Sequence, residues 1–332
     1  MIIATHNGTF HADEVIGCML LSFLYPDLTI IRSRDPLEFA KANYVIDVGG
    51  KFDLEVNFDH HPSEFTLARD NQIKFASAGL VWNKFGEKVL EKLGQESGFI
   101  NSLNNNKEVI FKKAFKEIDS HVMCYLDLVD NGQLDEYTQG ISLAKDSDHG
   151  MNVYNSLGEF YTNTPSLPYI IAMQNTQDGT DEEQYEAFMQ TIASLKPLFK
   201  NLILRVLCQA RDEEKVLSLY DGSEILIMDE RLPWLNAVLN NFEKFSNCKI
   251  AIYPDSKKGY RIQSLPLSKA SRFLNRAPAP KSWCGKEGDE LNILAGISSA
   301  TFVHKTGFTG GAKTKEDIMV MAKNWLAGQE KK

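Results

Sequence analysis

The 332-residue chain is 43% hydrophobic and 24% charged and carries a formal net charge of −8. These values suit a soluble globular protein of two domains and exclude one that coats nucleic acid through bulk positive charge. The five cysteines, Cys18, Cys124, Cys208, Cys248 and Cys284, are scattered and form no CxxC pair, which excludes a zinc-finger spacing or a disulfide framework and suits a reducing compartment.

Ile2–Thr5 reads as a short buried strand, followed by a loop over 6–13 and a helix from Glu14 to about Leu24, with Asp13 and Glu14 as acidic residues at the helix start. The apolar run Val15–Tyr25 is too short to span a bilayer, so no membrane segment is expected. Leu28–Arg32 is the next strand, and Asp35-Pro36 opens a short helix with proline in its first turn. Tyr44–Val48 and Val56–Phe58 read as a third and a fourth strand. Alternating strands and helices predict a mainly parallel sheet with helices on both faces. In such sheets sites lie beyond the carboxyl ends of the strands, where His6, Asp47 and Asp59 all fall.

Ala76–Leu93 is predicted helical, Gln95–Lys107 a polar surface loop, and Val109–Val129 a long helix stopped at Gly132. Residues 133–180 are mixed. Glu182–Asp212 reads as an amphipathic linker helix interrupted by Pro197. Strand signals follow at Val216–Leu219, Glu224–Met228, Lys249–Tyr253, Tyr260–Ser264 and Thr301–His304, and Lys313–Leu326 reads as a closing helix. The expected layout is a catalytic domain over 1–180, a helical linker over 181–212 and a smaller mixed α/β substrate domain over 213–332.

Two segments carry the chemistry: His6-Asn7-Gly8-Thr9-Phe10-His11-Ala12-Asp13-Glu14 and Asp59-His60-His61, with Asp47 at a strand end between them. Candidate ligands are His6, His11, Asp13, Asp47, His60 and Asp130. Taken alone, Asp130 before Asn-Gly reads as a turn residue. Mixed imidazole and carboxylate donors suit Mn²⁺, Fe²⁺, Co²⁺ or Zn²⁺ better than Mg²⁺. Six protein ligands suit two divalent ions about 3.5–4 Å apart that generate a hydroxide nucleophile, with Asp47 as the expected bridge. His60 is the expected ligand of its segment. His61 is expected to face substrate as a phosphate contact or proton donor, and Asp59 to hold His60 from behind. His121 and Asp148-His149 have no such companions and read as surface or structural.

Residues 256–286 carry eight basic side chains and no acidic ones: Lys257, Lys258, Arg261, Lys269, Arg272, Arg276, Lys281 and Lys286. Tyr260, Phe273 and Trp283 lie among them, a pattern that fits a clamp for single-stranded nucleic acid. Gly307–Gly311, with Gly310 and Gly311 ahead of the Lys313 helix, reads either as a phosphate contact of backbone type or as a plain turn before that helix.

His-Asn-Gly-Thr-Phe-His-x-Asp-Glu, Asp47-Val48-Gly49-Gly50, Asp59-His60-His61 and Val129-Asp130-Asn131-Gly132 together resemble the MYG1 (UPF0160) family. That family is a branch of the DHH phosphoesterases, alongside RecJ-like nucleases and manganese pyrophosphatases. The likeness runs from about Thr5 to Leu326. It takes in Arg32-Ser33-Arg34-Asp35-Pro36, Ser77-Ala78-Gly79-Leu80, Phe302-Val303-His304 and Gly307-Phe308-x-Gly310-Gly311. Where related proteins close on Gly-Gly-Gly-His, this chain has Gly310-Gly311-Ala312-Lys313, and Cys284 stands where an arginine is expected.

The resemblance implies a DHH-type two-domain α/β fold, with the six residues above, Asp130 included, as metal ligands. It implies Mn²⁺ as the ion and Arg34, Arg261, His304, Gly310, Gly311 and Lys313 as substrate contacts. It also implies 3′→5′ exonuclease activity on RNA or single-stranded DNA, a role in RNA processing, and a homodimer as a possible assembly. A small-molecule phosphatase or pyrophosphatase is the alternative, and a non-catalytic metal-binding protein the third reading. The N-terminus has no basic leader and the chemistry starts at residue 6, so cytoplasm or nucleus is the expected location and no mitochondrial presequence is visible.

Overall fold

The structure, a computed structural model, describes residues 1–103, 106–134, 166–256, 258–269 and 274–328. The chain divides into two compact units, Met1–Cys208 and Gln209–Lys332.

In the first unit, β1 (Ile2–Thr5), α1 (Ala12–Leu24), β2 (Thr29–Arg32), α2 (Pro36–Phe39), β3 (Tyr44–Ile46) and β4 (Asn57–Phe58) build a four-stranded parallel sheet of order β2-β1-β3-β4. The order reverses direction between β1 and β3, which opens a crevice at their carboxyl ends. There Thr5 runs into His6 and Ile46 into Asp47. Asp35 caps α2 by accepting the Leu37 N–H, with Pro36 at the first helical position. Ala4, Val45 and Val48 pack with Phe39 and Ala42 on one face of the sheet. Against the other lie α1 and α3 (Ser77–Glu96). Gly17 lets α1 approach closely, since a Cβ there would sit 3.2 Å from Ile46 Cγ2.

The predicted helix over 109–129 is α4 (Lys107–Ile118), one π-helical turn (Asp119–Met123) and α5 (Cys124–Asp130), ending at Gly132 with φ 64°. The expected polar loop over 95–107 is partly helical at its start, over 95–102. The helix continues to Glu96, and a 3₁₀ turn at Phe99–Ser102 buries Phe99 against the unit. Then α6 (Leu167–Ala172) precedes α7 (Asp181–Leu219). The α7 helix runs through Pro197 without a break. The ~3 kcal/mol cost of an interior proline is offset by the buried stripe Phe188, Ile192, Leu195, Phe199, Ile203 and Leu207. It also runs on over Val216–Leu219, so that segment is helix and not strand. Its apolar residues match the helical period as well as a short strand, and Val216 is buried in the core.

The second unit contains β5 (Ile225–Ile227), α8 (Trp234–Asn240), β6 (Ile250–Pro254), β7 (Tyr260–Ser264), α9 (Gly288–Ala295), β8 (Ala300–Val303), β9 (Thr309–Ala312) and α10 (Lys315–Ala327). Its mixed sheet has order β5-β6-β7-β9-β8, parallel only at β5/β6. The Gly307–Gly311 turn expected before the last helix is mostly strand β9, with Gly310 and Gly311 inside it. Packing demands them: a Cβ on Gly311 would lie 2.7 Å from Thr301 Oγ1, and one on Gly310 3.0 Å from the Phe302 carbonyl. Trp283 is core rather than stacking surface, buried edge-on against Trp325. Among the described residues, no helix is long and apolar enough to cross a membrane.

Candidate metal centre

The first histidine loop is held from two sides. Arg32, at the end of β2, donates to the His6 carbonyl at 3.1 Å and the Gly8 carbonyl at 2.8 Å, and its guanidinium lies over the Phe188 ring. Asn175 accepts the Phe10 N–H and donates to the Phe10 carbonyl, both at 2.8 Å. His11 then caps α1, its N–H taken by the buried Glu14 carboxylate at 3.0 Å.

Asp47 follows β3 in the left-handed region, with φ 58°, a conformation that costs a non-glycine residue on the order of 1–3 kcal/mol and marks functional positions. The turn through Gly49 and Gly50, φ 96° and 64°, brings the Gly50 N–H onto Asp59 Oδ2 at 2.6 Å.

The N-terminus of α3 orders three carboxylates at once. Ala76 offers it no side-chain cap. Instead Asp13 accepts the Ser77 and Ala78 N–H groups at 2.8 and 2.6 Å, and Asp127 accepts the Gly79 N–H at 3.1 Å. The Ser77 hydroxyl donates to Asp47 Oδ1 at 3.3 Å. The helix N-terminus thereby stabilises negative charge next to the cluster. A side chain on Gly79 would overlap the Asp127 carboxylate. Behind it, Arg69 reaches Asp127 at 2.6 Å and Asp119 at 2.7 Å, and stacks on Phe75.

The predicted ligands converge. Asp47 Oδ2 lies 3.6 Å from His6 Nε2, and Asp47 Oδ1 lies 3.4 Å from His60 Nε2. His60 Nε2 is also 3.1 Å from Asp130 Oδ2 and 3.9 Å from Asp13 Oδ2. Donor atoms gather in three groups, each within 4.8 Å: His6, His11 and Glu14; Asp47, His60 and His61; and Asp13, His60 and Asp130. Glu14, 2.9 Å from His6 Nε2 and fully buried, is a member that the sequence reading took only for a helix-start charge. Ser77 and Asp127 were also missed. The 127/130 spacing on one helix face was the available signal for Asp127.

One expected role moves. Asp59 does not hold His60; its Oδ1 accepts from the His61 N–H at 3.1 Å and pairs with His61 Nδ1 at 2.8 Å. His60 Nδ1 faces Asn131 Oδ1 at 3.2 Å instead. The side chain of His61 is 64% exposed toward the cleft, while those of His6 and His60 are nearly buried.

The electrostatics are those of a site that calls for cations. Burial opposes charging His6, yet Asp47 and Glu14 bring its pKa up to about 10. Burial likewise opposes His60, and Asp130 and Asp47 bring it up to about 11. Burial and the like charges of Asp130 and Asp47 push Asp13 well above the carboxylate range. His6 and His60 hold Asp47 below that range despite its burial. His60 Nε2 is buried without a hydrogen bond of good geometry. Imidazole and carboxylate donors crowded around a buried ring nitrogen that lacks a well-aligned hydrogen bond fit divalent metal ions, whose charge replaces the protons that the histidines otherwise take up.

Arg34 lines the same cleft of about 690 Å³ as His6, His11, Asp47, Asp59, His61 and Asp130. In the second unit, Arg261 and Lys313 line a separate cavity of about 520 Å³ with Lys258 and Phe302. Gly310 and Gly311 pair with β7 and β8, and His304 stands at the end of β8 with its Nδ1 2.8 Å from Thr306 Oγ1. Arg276 is structural, bound to the backbone carbonyls of Pro266 and Cys248. Lys257, Arg272, Phe273 and Asp148-His149 lie outside the described residues. His121 is exposed beside Glu117.

The family model described as "Uncharacterised protein family (UPF0160)", MYG1_exonuc, matches residues 2–326. The MYG1 protein of Dictyostelium discoideum is 29% identical, over 97% of this chain and 95% of its own. The MYG1 exonuclease of Homo sapiens is 29% identical, over 98% of this chain and 85% of its own. A crystal structure of the exonuclease RecJ bound to manganese aligns over 99% of this chain and 90% of its own, with 14% identity and a TM-score of 0.26. With a family match that spans nearly its full length, the chain belongs to the MYG1 (UPF0160) family.

Proposed function

We propose that this chain is a metal-dependent phosphoesterase that removes nucleotides from an end of single-stranded nucleic acid, RNA foremost, with 3′→5′ polarity. The observation that carries the proposal is the convergence of His6, Asp13, Asp47, His60 and Asp130 on one cluster, which opens through His6, Asp47 and Asp130 onto a cleft also lined by Arg34. The relatives named exonuclease supply the reaction class.

His6 and His11, with Glu14, would hold one ion, and Asp13, His60 and Asp130 a second. The two Asp47 oxygens, each toward a different histidine, suit a bridge between them. Mn²⁺ is the ion we assign. Bound divalent ions supply Lewis acidity, acidifying water and neutralising phosphate charge.

The chain's own residues do the rest. Arg34 is placed to contact a phosphate oxygen. Asp59 fixes His61 through Nδ1 and raises its pKa against the opposing effect of burial. That leaves Nε2 to give a proton to the departing oxygen. Lys258, Lys313 and Arg261, the last also paired with Asp255 at 3.3 Å, offer the second unit's cavity to a phosphate backbone, with Gly310 and Gly311 in β9 and His304 just past β8.

The test is to incubate purified protein with end-labelled RNA, end-labelled DNA and pyrophosphate, with Mn²⁺ or Mg²⁺. Stepwise shortening of the RNA from its 3′ end supports the proposal. Phosphate released from pyrophosphate, with both polymers intact, overturns it in favour of a small-molecule phosphatase.

A further inference from the structure

The cleft is not polar throughout. Besides its carboxylates and histidines it is lined by Pro168, Tyr169 and Ala172 of α6 and by Leu126 and Val129 of α5. Tyr169 is 52% exposed. A tyrosine that keeps about half its surface open in a charged cleft still has area to offer a ligand.

The wall is anchored and not a loose flap. Ile171, two residues on, is fully buried. Asn175, just past the helix, grips the Phe10 backbone between His6 and His11 through two hydrogen bonds of 2.8 Å. The same asparagine thus couples the apolar wall to the histidine loop.

A ligand that satisfies this cleft has two ends: an anionic group for the cation-demanding cluster and Arg34, and a flat apolar group for the wall. Phosphate and pyrophosphate have only the first. A nucleotide has both. We infer that Tyr169, backed by Pro168 and Ala172, is a stacking subsite for the base of the nucleotide whose phosphate lies at the cluster. The inference rests on the phosphoesterase reading and adds to it the residue that selects base-bearing substrates. Every nucleobase has a π-face, so this subsite favours nucleotides over bare phosphates without reading sequence.

AMP and ribose 5-phosphate share sugar and phosphate and differ by the base. With Mn²⁺ present, each is titrated calorimetrically into the wild-type chain, Tyr169→Phe and Tyr169→Ala. AMP is expected to bind more tightly than ribose 5-phosphate. Tyr169→Ala is expected to weaken AMP about 5- to 150-fold, the equivalent of ~1–3 kcal/mol per stacked base. Tyr169→Phe should retain AMP binding, and ribose 5-phosphate should bind all three proteins alike. Equal affinities of wild type for the two ligands, or an equal loss of both in Tyr169→Ala, would overturn the subsite. The two readings fail separately. RNA cleavage without AMP preference removes the subsite alone, and AMP preference without cleavage of either polymer removes the phosphoesterase reading alone.

Discussion

At the residue scale, the site depends on groups that carry no charge of their own. Gly79 has no side chain because the Asp127 carboxylate occupies that space, with its Oδ1 on the Gly79 N–H. Gly79→Ala is therefore expected to destabilise the chain by about 1–3 kcal/mol, the usual cost of overpacking a filled interior. Chemical denaturation checks it; an unchanged midpoint would mean that Asp127 gives way freely. His6, Asp47 and Asp59 were legible in the sequence because each follows a short apolar strand, and parallel sheets put such positions at one edge. Glu14, Ser77 and Asp127 were not. The roles of Ser77 and Asp127 depend on hydrogen bonds between elements far apart in sequence, Ser77 to Asp47 and Gly79 to Asp127, with only the 127/130 spacing as a local signal. Glu14 lies close to its partners His6 and His11, but its place in the first turn of α1 reads as an ordinary helix-start charge. The partner of Asp59 was misread because adjacent histidines on an irregular segment do not say which ring faces which carboxylate.

At the element scale, the π-helical turn at Asp119–Met123 joins α4 to α5, and Arg69 ties the two together by bonding Asp119 from the turn and Asp127 from α5. Burial pushes the Asp127 carboxyl up to about 7, against the pull of Arg69. Removing the arginine strands a buried acid three residues from Asp130. Arg69→Ala is expected to cost about 3–5 kcal/mol, as breaking a buried pair does. Adding Asp127→Asn should restore part of that loss, because the stranded charge is gone. Thermal unfolding of the single and double variants measures both, and a double variant no more stable than Arg69→Ala would contradict the pairing. The sequence showed a helix here but not its π turn, which leaves the apolar pattern almost unaltered. It also suggested a strand at Val216–Leu219, where three apolar residues in four suit either state and the packed end of α7 decided for helix.

At the scale of the whole molecule, an acidic chain carries two contrasting surfaces. The first unit has a cleft rich in carboxylates and imidazoles, and the second a cavity bearing Lys258, Arg261 and Lys313. The eight-cation run that suggested a clamp is only partly one: Arg276 braces backbone carbonyls, Lys286 pairs with Glu290 at 2.5 Å, and Trp283 belongs to the core. Sequence alone overcounts such patches, because it cannot tell a cation facing solvent from one holding a loop. We propose that the cluster in the first unit is a divalent-metal centre on which phosphate chemistry depends. Its most direct test is a Mn²⁺ titration, followed by calorimetry, of the wild-type chain and Asp47→Asn. Two bound ions per wild-type chain, with at least one lost in Asp47→Asn along with RNA cleavage, is the expected result. A wild-type chain that binds no Mn²⁺, or an Asp47→Asn chain that binds and cleaves as wild type does, would contradict it.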